Sequence, residues 1–83
     1  MPRYYFDVTD EDGARRDDVG VECPDLAAAR AEAVRVLPDI ARHEMPKDGD
    51  RHLFTVIVRD GRGCPVYTAT LGFAGLWLTE VPR

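Results

Sequence analysis

The residues best suited to chemistry are gathered in one acidic stretch, DEDGARRDD, which runs from Asp10 to Asp18. A calcium loop of the EF-hand type needs oxygen ligands at positions 1, 3 and 5, glycine at position 6 and glutamate at position 12. With Gly13 at position 6, the loop would begin at Val8 and its bidentate ligand would fall on Val19. We therefore expect a hairpin turn with solvated charges here, and no bound metal.

The histidines and cysteines give no stronger sign of a reactive or metal-binding site. His43 and His52 are the only histidines; neither belongs to an H-E-x-x-H pattern, and we expect both to be exposed. Cys23 and Cys64 each precede a proline and have no Cys or His at ligand spacing, so we expect small, half-buried side chains. Only the fold could bring Cys64 to a His and an Asp, and the spacing does not predict this.

Other catalytic patterns are missing from the sequence. The chain has no serine, which excludes a Ser-His-Asp triad, and the glycines at 61 and 63 lie in a hairpin rather than before a helix. The sequence therefore predicts a protein that is not an enzyme and has neither a metal nor a cofactor.

Composition limits the class of protein further. A chain of 83 residues predicts one domain over 1–83, with a core from about 3 to 73 and an apolar tail over 74–83. A net charge of −4 gives no electrostatic reason to bind nucleic acid. No apolar run is long enough to span a membrane. Two cysteines and no visible signal peptide predict a cytoplasmic protein with reduced thiols.

Alternating apolar residues predict four strands, at about 3–9, 14–22, 53–59 and 66–73. Acidic and glycine residues at 10–13 and 60–63 predict two hairpin turns. The second strand is polar, with Val19 and Val21 on its inner face, and it should lie at an edge of the sheet. Gly72 predicts a bulge or the end of the last strand.

The segment from Leu26 to His43 predicts a helix that begins after Asp25 as its N-cap. One face is apolar and the opposite face carries charges of both signs. The apolar positions are Leu26, Ala29, Ala33, Leu37 and Ile40, and the charged ones are Glu32, Arg35, Asp39 and Arg42. Pro38 predicts a kink between Val34 and Pro38, or two shorter helices. Met45-Pro46 should end the helix.

These elements predict an α+β fold in two layers, a sandwich of one helix and one sheet. The expected sheet has four antiparallel strands in the spatial order 2-1-3-4, with a ββαββ chain order and the helix across one face. The first and third strands are the most apolar and should lie in the centre of the sheet.

Three segments together resemble one family. They are MPRYYFDV at the start, Gly20 to Asp25 before the alanine-rich helix, and Val56 to Val66 in the last hairpin. The chain resembles the uncharacterised bacterial domain-of-unknown-function family 6894 over about Met1 to Leu71. This resemblance implies no particular chemistry. Pro38 and the apolar stretch from Gly72 to Leu78 depart from the usual pattern of the family.

A weaker resemblance is to the antitoxin-type fold of HicB proteins. They also have an Asp-Glu-Asp-Gly turn, here at 10–13, a Pro-Asp-Leu, here at 24–26, and a helix with Glu-Ala. This resemblance implies an alternative function as an antitoxin-like or nucleic-acid-linked regulator. The chain lacks the strand expected before the helix and a DNA-binding extension.

Two surfaces are candidates for an interaction. The tail contains a compact apolar group formed by Phe73, Leu76, Trp77 and Leu78. These residues would either complete the core or contact another protein, since Trp and Phe are enriched in interfaces. The outer face of the sheet should present Tyr5 and Ile57 beside threonines, and open aromatic faces can stack RNA bases.

We accordingly expect a small non-catalytic interaction or regulatory module. Its partner would be a second copy of the chain or another protein, bound through the tail and a sheet edge or face. Nucleic acid is disfavoured by the acidic charge.

Overall fold

The protein, described by a computed structural model over residues 1–44 and 49–80, has an α+β fold with one helix packed on one antiparallel sheet. The elements are β1 (Arg3–Asp10), β2 (Gly13–Arg15), β3 (Val21–Glu22), α1 (Leu26–Glu44), β4 (Arg51–Arg59) and β5 (Pro65–Ala74). The predicted helix end at Met45-Pro46 lies outside the described residues.

The sheet has five strands rather than the four that were predicted. Its main path runs β2-β1-β4-β5, and β3 also pairs with β1. The expected second strand at 14–22 is divided, because the chain leaves the ladder between Arg15 and Val21. Val19 and Val21 therefore do not face the core; they are 76% and 39% exposed. The central placement of the first strand and of the strand after the helix is confirmed.

The register of β1 and β4 places the apolar residues on one inner face. Phe6 is opposite Val58, and Val8 is opposite Val56. The same face of β5 carries Tyr67, Ala69, Leu71 and Phe73, which are opposite Val58, Val56, Phe54 and His52 in that order. Since residues directly opposite each other share a face, the predicted inner and outer faces of these strands are confirmed.

Small side chains allow the helix to lie close to the sheet. The buried positions of α1 are Ala29, Ala33, Leu37 and Ala41, and three of these four are alanines. Ile40 is only partly buried and Leu26 is 44% exposed, so the apolar stripe is rotated from the prediction. The helix packs on β4 and β5, where Phe54, Val56 and Val58 are almost fully buried.

Polar side chains define the start and the outer face of the helix. The Asp25 carboxylate accepts a hydrogen bond from the backbone N–H of Ala28 at 2.8 Å, which confirms the N-cap. Arg35 forms ion pairs with Glu32 and Asp39, and Arg42 pairs with Asp39 at 3.0 Å. The predicted row of opposite charges is thereby confirmed.

Pro38 does not divide the helix. α1 continues through this position for 19 residues, so the prediction of two shorter helices is wrong. Pro38 lies on the exposed side, as does Val34, and the carbonyl that loses its donor can turn towards water. A kink at this position stays a prediction. Within residues 1–44 and 49–80, no helix is both long enough and apolar enough to cross a lipid bilayer.

The second hairpin forms where it was predicted. The Asp60 carboxylate accepts hydrogen bonds from the N–H groups of Arg62 and Cys64, at 2.9 and 3.0 Å. A register shift lies between Val58 and Arg59, at the base of this turn. Gly72 is neither a bulge nor a strand end, because it pairs in register with Leu53 and β5 continues to Ala74.

The close contact between helix and sheet predicts different effects for one substitution on the two faces of α1. Ala33 has no exposed surface, whereas Ala31 is exposed. Ala33→Leu should lower the free energy of unfolding by about 1–3 kcal/mol, because the added methyl groups overpack the layer. Ala31→Leu should change it by less than about 0.5 kcal/mol. Urea unfolding measures both, and equal stabilities would contradict this packing.

Candidate functional site

The acidic stretch contains the hairpin turn that was predicted, but its carboxylates are not all solvated, because Asp10, Glu11 and Asp17 accept hydrogen bonds within the chain. Asp10 accepts a hydrogen bond from the backbone N–H of Asp12 at 2.8 Å, and Gly13 takes the positive φ of 137° that closes the turn. Glu11 instead reaches β4, where it accepts from His52 and from the backbone of Leu53. In the part of the chain that the structure describes, no three His, Cys, Asp or Glu residues gather as metal ligands would.

The expectation that both histidines are exposed is wrong for His52. It points to the inner face of β4 and is only 5% exposed. Its Nδ1 lies 2.8 Å from the Glu11 carboxylate and its Nε2 lies 3.2 Å from the Gly49 carbonyl. Phe54 and Phe73 flank the ring, with centroids 6.3 and 6.1 Å away. Alternation within β4 was the sequence signal for this burial.

Glu11 is held as a carboxylate by these contacts. The backbone N–H of Leu53 and the side chain of His52 both lower the pKa of Glu11. This turn therefore attaches the β1–β2 hairpin to the start of β4, and the contact explains why His52 is buried at the end of the sheet.

The cysteines do not form a reactive site with His52. Cys23 is buried, and burial raises the pKa of its thiol above the ordinary value. Cys64 is exposed and precedes β5, whereas His52 pairs with Phe73 at the opposite end of the β4–β5 hairpin. Seven residues of strand, about 23 Å, separate these two ends. The fold therefore does not bring Cys64 and His52 together.

The outer face of the sheet holds a partly buried ion pair that the sequence did not predict. Arg59 donates from Nε and Nη2 to the two carboxylate oxygens of Asp7, at 2.6 and 3.0 Å. Nη2 also donates to the backbone carbonyl of Asp17 at 3.0 Å. The Arg59 guanidinium lowers the pKa of Asp7 below its usual 3.8. The pair links the two central strands to the loop between β2 and β3.

At the β1 edge of the sheet, the Asp17 carboxylate accepts a backbone hydrogen bond that a paired strand would otherwise accept. One carboxylate oxygen accepts from the backbone N–H of Phe6 at 3.0 Å, and the other accepts from Val19 and Gly20 at 2.9 and 3.0 Å. Burial raises the pKa of Asp17, but the three N–H donors outweigh it and the net pKa is lowered. A single side chain thus satisfies the backbone donor of β1 where no strand is paired. We call Asp7, Asp17 and Arg59 the edge clasp.

Tyr5 is enclosed by the same loop and is not an open platform for bases. The Arg59 guanidinium lies 5.1 Å from the centre of the Tyr5 ring. Gly20, with a φ of 75°, packs so closely that a Cβ there would lie 2.9 Å from the Tyr5 ring. Ile57 is half-buried on the same face. The two predicted interaction residues therefore share a face, but Tyr5 is engaged by its own chain.

The two long edges of the sheet differ sharply in charge. The edge formed by β2 and β3 is rich in charged residues and is closed by the edge clasp. At the other edge, all 17 residues from Gly63 to Thr79 are uncharged, although 31% of the chain is charged. Average composition would give about five charges in such a stretch. We call Gly63–Thr79 the uncharged segment; it includes all of β5, and sequence reasoning had not used this signal.

The predicted tail residues do not complete the core. Leu76, Trp77 and Leu78 are 83%, 52% and 93% exposed. Phe73 is different, because it lies in β5 and packs against His52. The tail leaves the sheet beside β4, where the Gly75 N–H donates to the Asp50 carbonyl. Three large apolar side chains are thus held outside the domain at one end of β5.

A shallow depression of about 630 Å³ lies at the other end of β5. It is lined by Ile57, Pro65, Val66, Tyr67 and Thr68. None of these residues is charged. A second depression of about 500 Å³ lies beside His52 and Phe73, and Glu11 and Arg51 contribute to its lining. Only the first has a lining made wholly of uncharged residues among the depressions described.

The edge clasp predicts an acid-sensitive contribution to stability. Asp17→Asn should lower the free energy of unfolding by about 2 kcal/mol near pH 7, because an amide offers one acceptor oxygen instead of two. The pKa of Asp17 is lowered on folding, so its contribution is present above the unfolded value of 3.8 and is lost as pH falls through the folded value. The difference between wild type and variant should therefore shrink below about pH 3.8.

Asp18→Asn is the matched control, since Asp18 is the exposed neighbour of Asp17. Chemical unfolding at several pH values measures both variants. The role of Asp17 is contradicted if both variants show the same loss of stability at neutral pH.

Comparison with known proteins gives a family but no described function. Neither the curated proteins nor the solved structures contain a significant match to the chain. The model of a protein family described as a domain of unknown function, DUF6894, matches residues 3–72. The match covers β1 to β4 and most of β5, and the tail residues 76–78 lie beyond it. The chain therefore belongs to the domain-of-unknown-function family 6894.

Proposed function

We propose that this protein is a small, non-catalytic, cytoplasmic interaction module that binds a second copy of itself through the free edge of β5. The observation that carries the proposal is the uncharged segment, which places a ten-residue strand with no charge at an edge of the sheet. Exposed edges present unpaired backbone groups, and soluble proteins usually protect them with charges, proline or bulges. An unprotected edge of this length therefore favours a paired strand as its occupant.

The opposite edge supplies the comparison within the same molecule. There the strands are only three and two residues long and are surrounded by charged residues. The Asp17 carboxylate accepts the hydrogen bond of the Phe6 N–H. Charges and short strands therefore protect one edge, whereas β5 has no charge and a proline only at its first residue. This difference supports β5, rather than β2 or β3, as the interacting strand.

A second copy suits β5 because identical uncharged strands meet without like-charge repulsion. Two copies related by a twofold axis perpendicular to the sheet would pair antiparallel, each strand making the same contacts. This axis keeps both helices on one side and joins the two outer faces into one surface. Tyr5, Ile57 and the threonines of β5 would lie on that joined face.

The free cysteines and the paired polar side chains support a non-catalytic role in the cytoplasm. Neither Cys23 nor Cys64 is in a disulfide. Among the described residues, the buried polar side chains are His52 and Arg59, and they are paired with Glu11 and Asp7. Their pairing gives each a structural role in the fold.

Introducing a charge at the middle of β5 tests the proposal. Thr70→Lys would place two like charges close together across a symmetric β5 pair, so the dimer dissociation constant should rise at least about tenfold. Light scattering coupled to size-exclusion chromatography, over a range of concentrations, gives the mass. Circular dichroism confirms that each variant is folded.

Thr9→Lys is the control. Thr9 lies in the same row of the outer face, since Thr9 pairs with Thr55 and Thr55 pairs with Thr70. It sits in β1, away from the β5 edge, and its variant should associate like the wild type. A wild-type chain that stays monomeric at every concentration, or equal weakening by both substitutions, would overturn the proposal.

A further inference from the structure

We infer that the apolar tail of one copy docks in the depression at the start of β5 of the other copy, in trans. This inference rests on the proposed function and names the contact that completes it. The tail supplies Leu76, Trp77 and Leu78, and the depression is lined by Ile57, Pro65, Val66, Tyr67 and Thr68.

The tail cannot reach the depression of its own chain. It leaves the sheet at Ala74, with Gly75 bonded to Asp50. Val66 lies eight residues earlier on the same strand, about 27 Å away at the rise of a β-strand. Trp77 follows Ala74 by three residues, which span about 10 Å at full extension. The two apolar features therefore lie at opposite ends of β5 and cannot meet within one molecule.

Antiparallel pairing of two β5 strands removes this separation. With the twofold axis at Thr70, directly opposite residues share a face and the end of one strand lies beside the beginning of the other. Residues 74, 75 and 76 of one copy then lie opposite Val66, Pro65 and Cys64 of its neighbour. Trp77 follows opposite Gly63, two residues beyond Pro65, from where its indole reaches back over Pro65 into the depression.

The chemistry of the two surfaces is complementary. The tail offers large apolar side chains that are exposed in the single chain, and the depression offers an apolar lining without charge. Burying a Trp and two Leu side chains removes apolar surface from water on both copies. Twofold symmetry would form this contact twice, once at each end of the paired strands.

Cross-linking between chains tests the inference. One chain keeps the native Cys64; the other carries Cys64→Ala and Leu76→Cys. Mixing the two under mild oxidation should give a disulfide-linked heterodimer, since the inference places residue 76 near Cys64 within the reach of a disulfide. Val19→Cys in the Cys64→Ala background is the control; Val19 is 76% exposed and lies beyond the opposite edge.

Trp77 is the only tryptophan, so its fluorescence reports on the tail directly. Emission should shift to shorter wavelength as the protein concentration rises and the indole enters the depression. The shift should be lost in Thr70→Lys, because this variant weakens the paired strands.

The outcomes separate the inference from the proposed function. A dimer by light scattering, with no more cross-linking from Leu76→Cys than from Val19→Cys and no change in Trp77 emission, would overturn tail docking and leave β5 pairing standing. A chain that remains monomeric in light scattering would overturn both.

Discussion

Every strand at the edge of a β-sheet presents backbone N–H and C=O groups that need a partner. The sheet of this protein has two edges, and the backbone groups are satisfied by the chain itself at only one of them. At β1, the chain breaks the ladder between β2 and β3 and places Asp17 against the Phe6 N–H. Arg59 then holds the same loop through the Asp17 carbonyl and the Asp7 carboxylate. One edge is thereby closed within the chain, and β5 is left as the edge open to another strand.

The same residues that close the first edge also shape the outer face. Arg59 lies over Tyr5, and the loop that carries Asp17 brings Gly20 against the same ring. Tyr5 thus belongs to the structure of the closed edge, although its alternation in the sequence suggested an open surface. The face that remains open lies towards β5, where Thr68 and Thr70 are exposed.

Periodicity predicted most of the elements because it reports on local burial. The alternation in β1, β4 and β5, the Asp25 cap and the charged face of α1 all follow from neighbours in sequence. The edge clasp could not be predicted in this way, since Asp7 and Arg59 are 52 positions apart. The same holds for His52, whose partner Glu11 is 41 positions away. These contacts depend on the sheet register, which local patterns leave undetermined.

The sequence analysis identified the apolar tail as a candidate interaction surface, but it did not use the lack of charge in β5. Leu76, Trp77 and Leu78 were singled out as a group of apolar side chains, and the structure leaves all three exposed. The more informative signal was the absence of charge from Gly63 to Thr79, which becomes meaningful only when β5 is known to be an edge strand. The family match ends at residue 72, before these three residues. The proposed pairing of β5 therefore involves the matched region, and the proposed docking of the tail involves residues beyond it.

Hydrogen exchange of the β5 backbone, measured at low and high protein concentration, tests the central claim most directly. If β5 pairs with a second copy, the amides of residues 66–74 that point away from β4 should exchange more slowly at high concentration. Amides of β1 that already bond to β4 should exchange at the same rate at both concentrations. Exchange in β5 that does not change with concentration would contradict the claim that this edge is an interface.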